Sequence, residues 1–168
     1  MLRVHASIIE IGQSVWNGLL GPQGCPFLDY RFLAALEESG CVGQDTGWSP
    51  IYLTYGDEAP EVALAAYIKT NSYGEYIFDW AWADAAARMG YDYYPKLVVG
   101  APFSPVGGPR FLGKSDDEKL RSALVSGLEQ ITQQVNGSSI HVLFSTAEEA
   151  HWLKRSGFIQ RETFQFHW

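Results

Sequence analysis

Carboxylates stand among aromatic rings in one part of the chain. Residues 71–110 read NSYGEYIFDWAWADAAARMGYDYYPKLVVGAPFSPVGGPR, with Glu75, Asp79 and Asp84 set between aromatic neighbours. The stretch also holds Lys96 and a Pro/Gly-rich turn that ends in Arg110. Burying an unpaired carboxylate costs several kcal/mol or forces it to take a proton. Two readings follow. Either Lys96 and Arg110 pair these groups in a structural network, or the groups line a pocket for a polar ligand and act as acid and base. Asp84 is assigned to the structural role, while both roles stay open for Glu75 and Asp79.

Other chemistry is thinner. Gly107 and Gly108 allow backbone N–H groups to approach a phosphate, and Arg110 could pair with it, although a simple turn fits the same residues. His5, His141, His151 and His167 lack metal-ligand spacing, and Cys25 and Cys41 lie far apart, so no metal site is expected. No Gly-x-Ser-x-Gly string is present, which argues against a serine nucleophile. Trp80, Trp82, Tyr93 and Tyr94 could stack on a sugar or peptide, but core packing is the default for such rings.

A chain of 168 residues suits one domain with a sizeable core. Its net charge of −7, with no Lys/Arg cluster, speaks against a DNA-coating surface. No stretch approaches the roughly 20 apolar residues of a membrane span. Two isolated cysteines and a start unlike an export signal point to the cytoplasm.

The elements that must position these residues follow from periodicity and caps. Residues 4–9 predict a strand and 13–20 a short helix, and Asp29 caps a second helix that Gly40 ends. Residues 51–55 and 62–69 predict a hairpin. Residues 76–89 read as a helix closed by Gly90, with Phe78, Trp82, Ala85 and Met89 on a core-facing stripe. A strand is expected over 91–101. Ser115 and Glu118 predict a capping box, followed by the stripe Leu120, Leu124, Leu128, Ile131 and Val135. A strand over 139–145, a helix opened by Thr146 and Glu149, and a terminal strand over 159–168 complete the order. A mixed sheet flanked by helices is the natural packing solution.

From Tyr93 onward this order resembles the GNAT acyltransferase fold, and HWLKRSGF at 151–158 is similar to its helix end and Gly-Phe step. A closer resemblance runs through most of the chain. It is carried by PFL at 26–28, FLAALEESG at 32–40, TGW at 46–48, SYGEY at 72–76 and FDWAWAD at 78–84. YYPKL at 93–97, PF at 102–103, GPR at 108–110, HVLF at 141–144 and QFHW at 165–168 continue it. These strings resemble the FemAB-like "peptidoglycan biosynthesis/recognition" family of bacterial N-acyltransferases. The family usually has His where this chain has Asn71.

The resemblance implies an α/β (α+β), GNAT-like domain spanning residues 1–168, with a mainly antiparallel sheet, as the first half of a two-half architecture. It implies transfer of an acyl or aminoacyl group to an amine of a cell-wall or peptide acceptor. In such a transfer a base takes the amine proton and donors hold the developing oxyanion. Glu75 and Asp79 are the catalytic candidates. Tyr73, Trp80, Trp82, Tyr93, Tyr94 and Lys96 are candidates for binding substrate. Gly107, Gly108 and Arg110 stand where a GNAT fold holds its donor's pyrophosphate, but the usual Gln/Arg-x-x-Gly-x-Gly/Ala pattern is missing, and the donor stays open between acyl-CoA and aminoacyl-tRNA. A non-catalytic module that recognises peptide or peptidoglycan is the alternative, and a homodimer through the face a second half would cover is a third reading.

Overall fold

The computed structural model describes residues 1–22 and 24–162. Its strands are β1 (Leu2–His5), β2 (Trp48–Tyr55), β3 (Val62–Lys69), β4 (Lys96–Val99), β5 (Leu112–Gly113) and β6 (Ile140–Val142). Its helices are α1 (Gln13–Leu20), α2 (Tyr30–Glu38), α3 (Trp80–Arg88), α4 (Glu118–Gln134) and α5 (Ala147–Arg155). The sheet order is β1-β2-β3-β4-β6, with β5 pairing β3 beside this path. All pairings are antiparallel except β4 with β6. The result is a mixed, mainly antiparallel sheet flanked by helices.

Strand alternation divides the core in two. On β3, Ala63, Ala65 and Tyr67 face one way and join Trp16, Leu28, Leu33, Trp48 and Tyr52 under α1 and α2. Val62, Leu64 and Ala66 face the other way, against Leu124, Leu128, Ile131 and Trp152 of α4 and α5. Gly127 lets α4 lie close to the sheet, because a Cβ there would stand 2.7 Å from Leu2 and 2.9 Å from Leu53. Leu124 and Leu128 are fully buried, each contributing about 1.5–3 kcal/mol of burial.

Several elements match the sequence-based expectations. Asp29 accepts from the Arg31 N–H at the start of α2, and Thr146 and Glu149 form the complete capping box of α5. The hairpin β2–β3 is present and starts earlier than expected, at Trp48.

Others are corrected. β1 stops at His5 because Ser7 accepts from Ile9 N–H and caps a 3-10 turn over Ile8–Glu10. α4 is capped by Asp117, which reaches the N–H groups of Lys119 at 2.9 Å and Leu120 at 3.4 Å, rather than by Ser115. The expected strand over 91–101 contracts to β4, since Pro95 has no N–H for a ladder. α3 begins at Trp80, four residues late, because Tyr76 and Phe78 adopt left-handed φ values of 61° and 49°. Its stripe is not core. Trp82 is 54 % exposed and Met89 71 %, and the helix buries no residue. In the expected terminal strand, residues 159–162 form none, and 163–168 lie outside the described residues.

Candidate functional site

Period two on β3 puts Lys69 on the same face as Tyr67, beneath α1 and α2. The register then aligns a row across the sheet. Trp48 of β2 is opposite Lys69, and Lys69 is opposite Lys96 at the start of β4. Leu97 donates its N–H to the Ser139 carbonyl at 2.9 Å, which brings Ser139 beside Lys96. Trp48, Lys69 and Lys96 are therefore neighbours by strand pairing.

Two ammonium groups buried in this way require anions. The segment between β3 and α3 supplies them. Lys96 Nζ donates to Glu75 Oε2 at 2.8 Å, Asp79 Oδ2 at 2.5 Å and Ser72 Oγ at 3.0 Å. Tyr93 O–H also donates to Asp79 Oδ2, at 2.7 Å, and the Tyr94 hydroxyl pairs with Ser72 Oγ at 2.7 Å. The side chains of Lys69, Lys96 and Glu75 have no exposed surface. Asp79 stands at the N-cap position of α3 without capping it, because its carboxylate is turned to Lys96.

Lys69 is held differently. Its ammonium lies 3.8 Å above the Trp48 ring and donates to the Tyr73 carbonyl at 3.3 Å. The nearest carboxylate oxygen, Glu75 Oε1, is 3.9 Å away. Glu75 Oε1 and Asp79 Oδ1 are buried with no hydrogen-bond partner among the described residues. A saturated structural network would leave no such oxygens.

This environment separates the titrations. Burial raises Glu75 above the ordinary carboxylate range, against the pull of Lys96 and Lys69. Burial also pushes Asp79 upward, but the hydrogen bonds from Lys96 and Tyr93 outweigh it and hold Asp79 low. Burial brings Lys69 down to about 8, opposed by Glu75. Burial and the hydrogen bond to Asp79 raise Tyr93, which stays a donor. The set therefore holds one carboxyl with a raised affinity for its proton, one held as an anion, and a lysine that binds its proton less tightly than usual.

The predicted residues divide into three groups. Glu75, Asp79, Tyr93, Tyr94 and Lys96 come together. Tyr73, Trp80 and Trp82 lie on the exterior of the same region, at 72 %, 48 % and 54 % exposure; Tyr73 reaches the cluster through its carbonyl. Gly107, Gly108 and Arg110 sit elsewhere. Arg110 is 1 % exposed and donates to the carbonyls of Leu143, Phe144, Val106 and Pro109. Gly108 N–H donates to the Phe144 carbonyl. These donors brace the turn and are not turned to a ligand. Asp84 is exposed, away from the cluster.

The chain belongs to the FemAB-like family. A family model described as peptidoglycan biosynthesis/recognition matches residues 7–168, nearly the whole chain. No curated protein matches it.

For this FemAB-like chain, sequence reasoning passed over Lys69 and Ser72. Lys69 was within reach, since alternation along Ala63, Ala65 and Tyr67 carries the buried face one step further. Ser72 had no signal, because only the fold of the segment after β3 brings it to Lys96. Among the described residues no His/Cys/Asp/Glu group could hold a metal ion, and no helix is long and apolar enough to cross a membrane. Two surface hollows of about 570 and 590 Å³ lie beside Leu20, Pro22 and Phe32 and beside Glu129, Gln133 and Phe158. Neither is lined by Glu75 or Asp79.

Proposed function

We propose that this chain is the first, GNAT-like half of a FemAB-type N-acyltransferase, working in the cytoplasm on an amine of a peptidoglycan precursor or other peptide acceptor. The observation that carries this reading is the pair of buried carboxylate oxygens, Glu75 Oε1 and Asp79 Oδ1, that accept no hydrogen bond from any described residue although two lysines share their cluster. Such oxygens are costly unless a guest group supplies the donor.

In the reaction the amine nitrogen attacks the acyl carbonyl carbon. The new N–C bond forms, and the C–O bond of an aminoacyl-tRNA or the C–S bond of an acyl-CoA breaks with its electron pair on the departing atom, which then takes a proton. The proton lost by the amine goes to Glu75, whose affinity for a proton burial raises. Asp79, held as an anion, keeps Lys96 and Tyr93 in place. Lys69 holds positive charge beside Glu75.

Glu75→Gln and Asp79→Asn in the full protein, assayed with both donor classes and a stem-peptide amine, test the reading. Glu75→Gln is expected to lower turnover by about 10²–10⁴-fold, and Asp79→Asn by less. Undiminished turnover in both would eliminate the carboxylate mechanism.

The exposed rings favour a second reading, recognition without transfer. Tyr73, Tyr76, Phe78, Trp80, Trp82 and Tyr91 are all 48–72 % exposed along one short stretch. Aromatic faces of this kind stack on sugars and peptides. Binding of peptidoglycan fragments that Trp80→Ala and Trp82→Ala abolish, with no transfer from either donor, would select it.

A further inference from the structure

The segment between β3 and α3 sorts its side chains by face. Ser72, Glu75 and Asp79 are buried and accept from Lys96, while Tyr73, Tyr76 and Phe78 stand outside. Its attachment is of an unusual kind. Among the described residues, no main-chain hydrogen bond ties residues 72–78 to a strand or helix. Side chains hold the segment instead. Trp48 Nε1 and Lys69 Nζ donate to the Tyr73 carbonyl at 3.0 and 3.3 Å, and Asn71 Oδ1 accepts from the Tyr73 N–H at 3.1 Å. Segments held in this way open locally far more easily than strands or helices do.

Its path turns at left-handed positions. Gly74, Tyr76 and Phe78 have φ of 77°, 61° and 49°. Bulky side chains rarely adopt this region, and such residues gather at clamps and switches. Gly74 also lies flat against two rings. A Cβ there would stand 2.7 Å from Phe103 and 3.3 Å from Trp48, whose ring centroids are 5.0 Å apart. The closed position is a seat shaped for glycine.

Both lysines belong to strands, whereas both carboxylates ride on this segment, Asp79 at its junction with α3. Lys69, Lys96 and Glu75 have no exposed surface, and neither surface hollow reaches them. A guest that satisfies Glu75 Oε1 and Asp79 Oδ1 therefore needs an entrance. The sheet is fixed by its ladders, so the part of the wall that can give way is the segment without them. α3 adds little hold, since it buries no residue.

We propose that residues 71–79 form a strap that swings off the sheet to open the Lys69–Lys96 row to a small guest, and closes with Gly74 seated on Phe103 and Trp48. The strap rests on the transfer reading only in taking that guest to be the acceptor amine, and its opening is measured without turnover.

The full chain is treated with the N-hydroxysuccinimide ester of acetic acid at fixed pH, and initial labelling of Lys69 and Lys96 is followed by peptide mass spectrometry as urea is raised. Lys114, with its side chain 71 % exposed, is the freely reached reference. The ester is itself a small guest that must reach the covered amines. When closing outpaces labelling, the rate follows the population of the open form. A local opening exposes little surface, so that population hardly responds to urea. Both lysines are expected to label at a rate nearly independent of urea below the unfolding transition. In Gly74→Ala, whose Cβ penalises the closed φ and the seat, they should label about tenfold faster. Labelling that climbs with urea in step with global unfolding overturns the strap. So does a folded Gly74→Ala that labels like wild type. Should that variant not fold, the urea dependence of the wild type decides alone.

Transfer assays with both donor classes separate this proposal from the reading above. A wild type whose lysines label without unfolding, but which transfers nothing, removes the transfer reading and leaves the strap. One that transfers while both lysines stay unlabelled until it unfolds removes the strap alone.

Discussion

Lys69 and Lys96 are cross-strand partners in the register of β3 and β4, and both are completely covered, yet their surroundings differ. Lys96 has two carboxylate oxygens within 2.8 Å. Lys69 has an aromatic face, one carbonyl, and a carboxylate at 3.9 Å. The sheet thus places one lysine as the anchor of the cluster and the other as a loosely held neighbour.

Their substitutions should differ accordingly. Lys96→Met leaves Glu75 and Asp79 buried without their shared cation and is expected to cost about 3–5 kcal/mol. Lys69→Met removes an ammonium with weak compensation and fills the same space with apolar atoms, so a change within about 1.5 kcal/mol is expected. Urea unfolding of both variants checks the contrast, and equal losses would contradict it.

The weak hold on Lys69 also fixes a pH dependence. Its affinity for a proton is lower folded, near 8, than unfolded, near 10.5. Between these values the unfolded chain binds the additional proton, so this residue makes stability rise with pH across that window. The wild-type stability measured from pH 7.5 to 10.5 minus that of Lys69→Met should therefore increase. A flat difference would mean that Lys69 keeps its proton throughout.

The tryptophans divide by position. Trp16 is fully covered and donates to the Leu28 carbonyl at 2.7 Å, and Trp16→Ala should cost about 3–5 kcal/mol. Trp80→Ala and Trp82→Ala remove half-exposed rings from α3 and should each shift stability by no more than about 1 kcal/mol. Denaturation monitored by circular dichroism separates the two classes.

Glu149 joins α5 to the turn after β4. Its carboxylate accepts from Arg110 N–H at 2.8 Å, Phe111 N–H at 2.9 Å and Thr146 N–H at 3.1 Å. Glu149→Ala strips all three of their acceptor and should cost about 2–4 kcal/mol by thermal unfolding.

Much of the scaffold was legible because local rules and tertiary packing agree there. The Asp29 cap, the Thr146–Glu149 box and the two arms of the hairpin are set by nearest-neighbour chemistry. The region around α3 was not legible. Its aromatic residues carry a helical period that normally marks a buried stripe, but left-handed turns at Tyr76 and Phe78 redirect the chain and leave those rings outside. The site was half legible. Carboxylates among rings announced a cluster, and Lys96 was named as their partner. The residues that join it, Lys69 and Ser72, depend on register and on a non-repetitive segment, neither of which composition reveals. Arg110 shows the converse: a glycine-rich turn before a long helix suggests an anion site, but its guanidinium is consumed by main-chain oxygens of its own neighbourhood.

The alignment of Trp48, Lys69 and Lys96 on three adjacent strands bears on how the chain finds its pairing. Sliding either strand pair by one residue would rotate an ammonium through the sheet into the aliphatic layer beneath α4, away from every counter-ion. Misaligned hairpins are thereby penalised far more heavily than a purely greasy strand like β3 would otherwise manage. The charged row therefore serves as an alignment key for assembly, whatever chemistry it also performs.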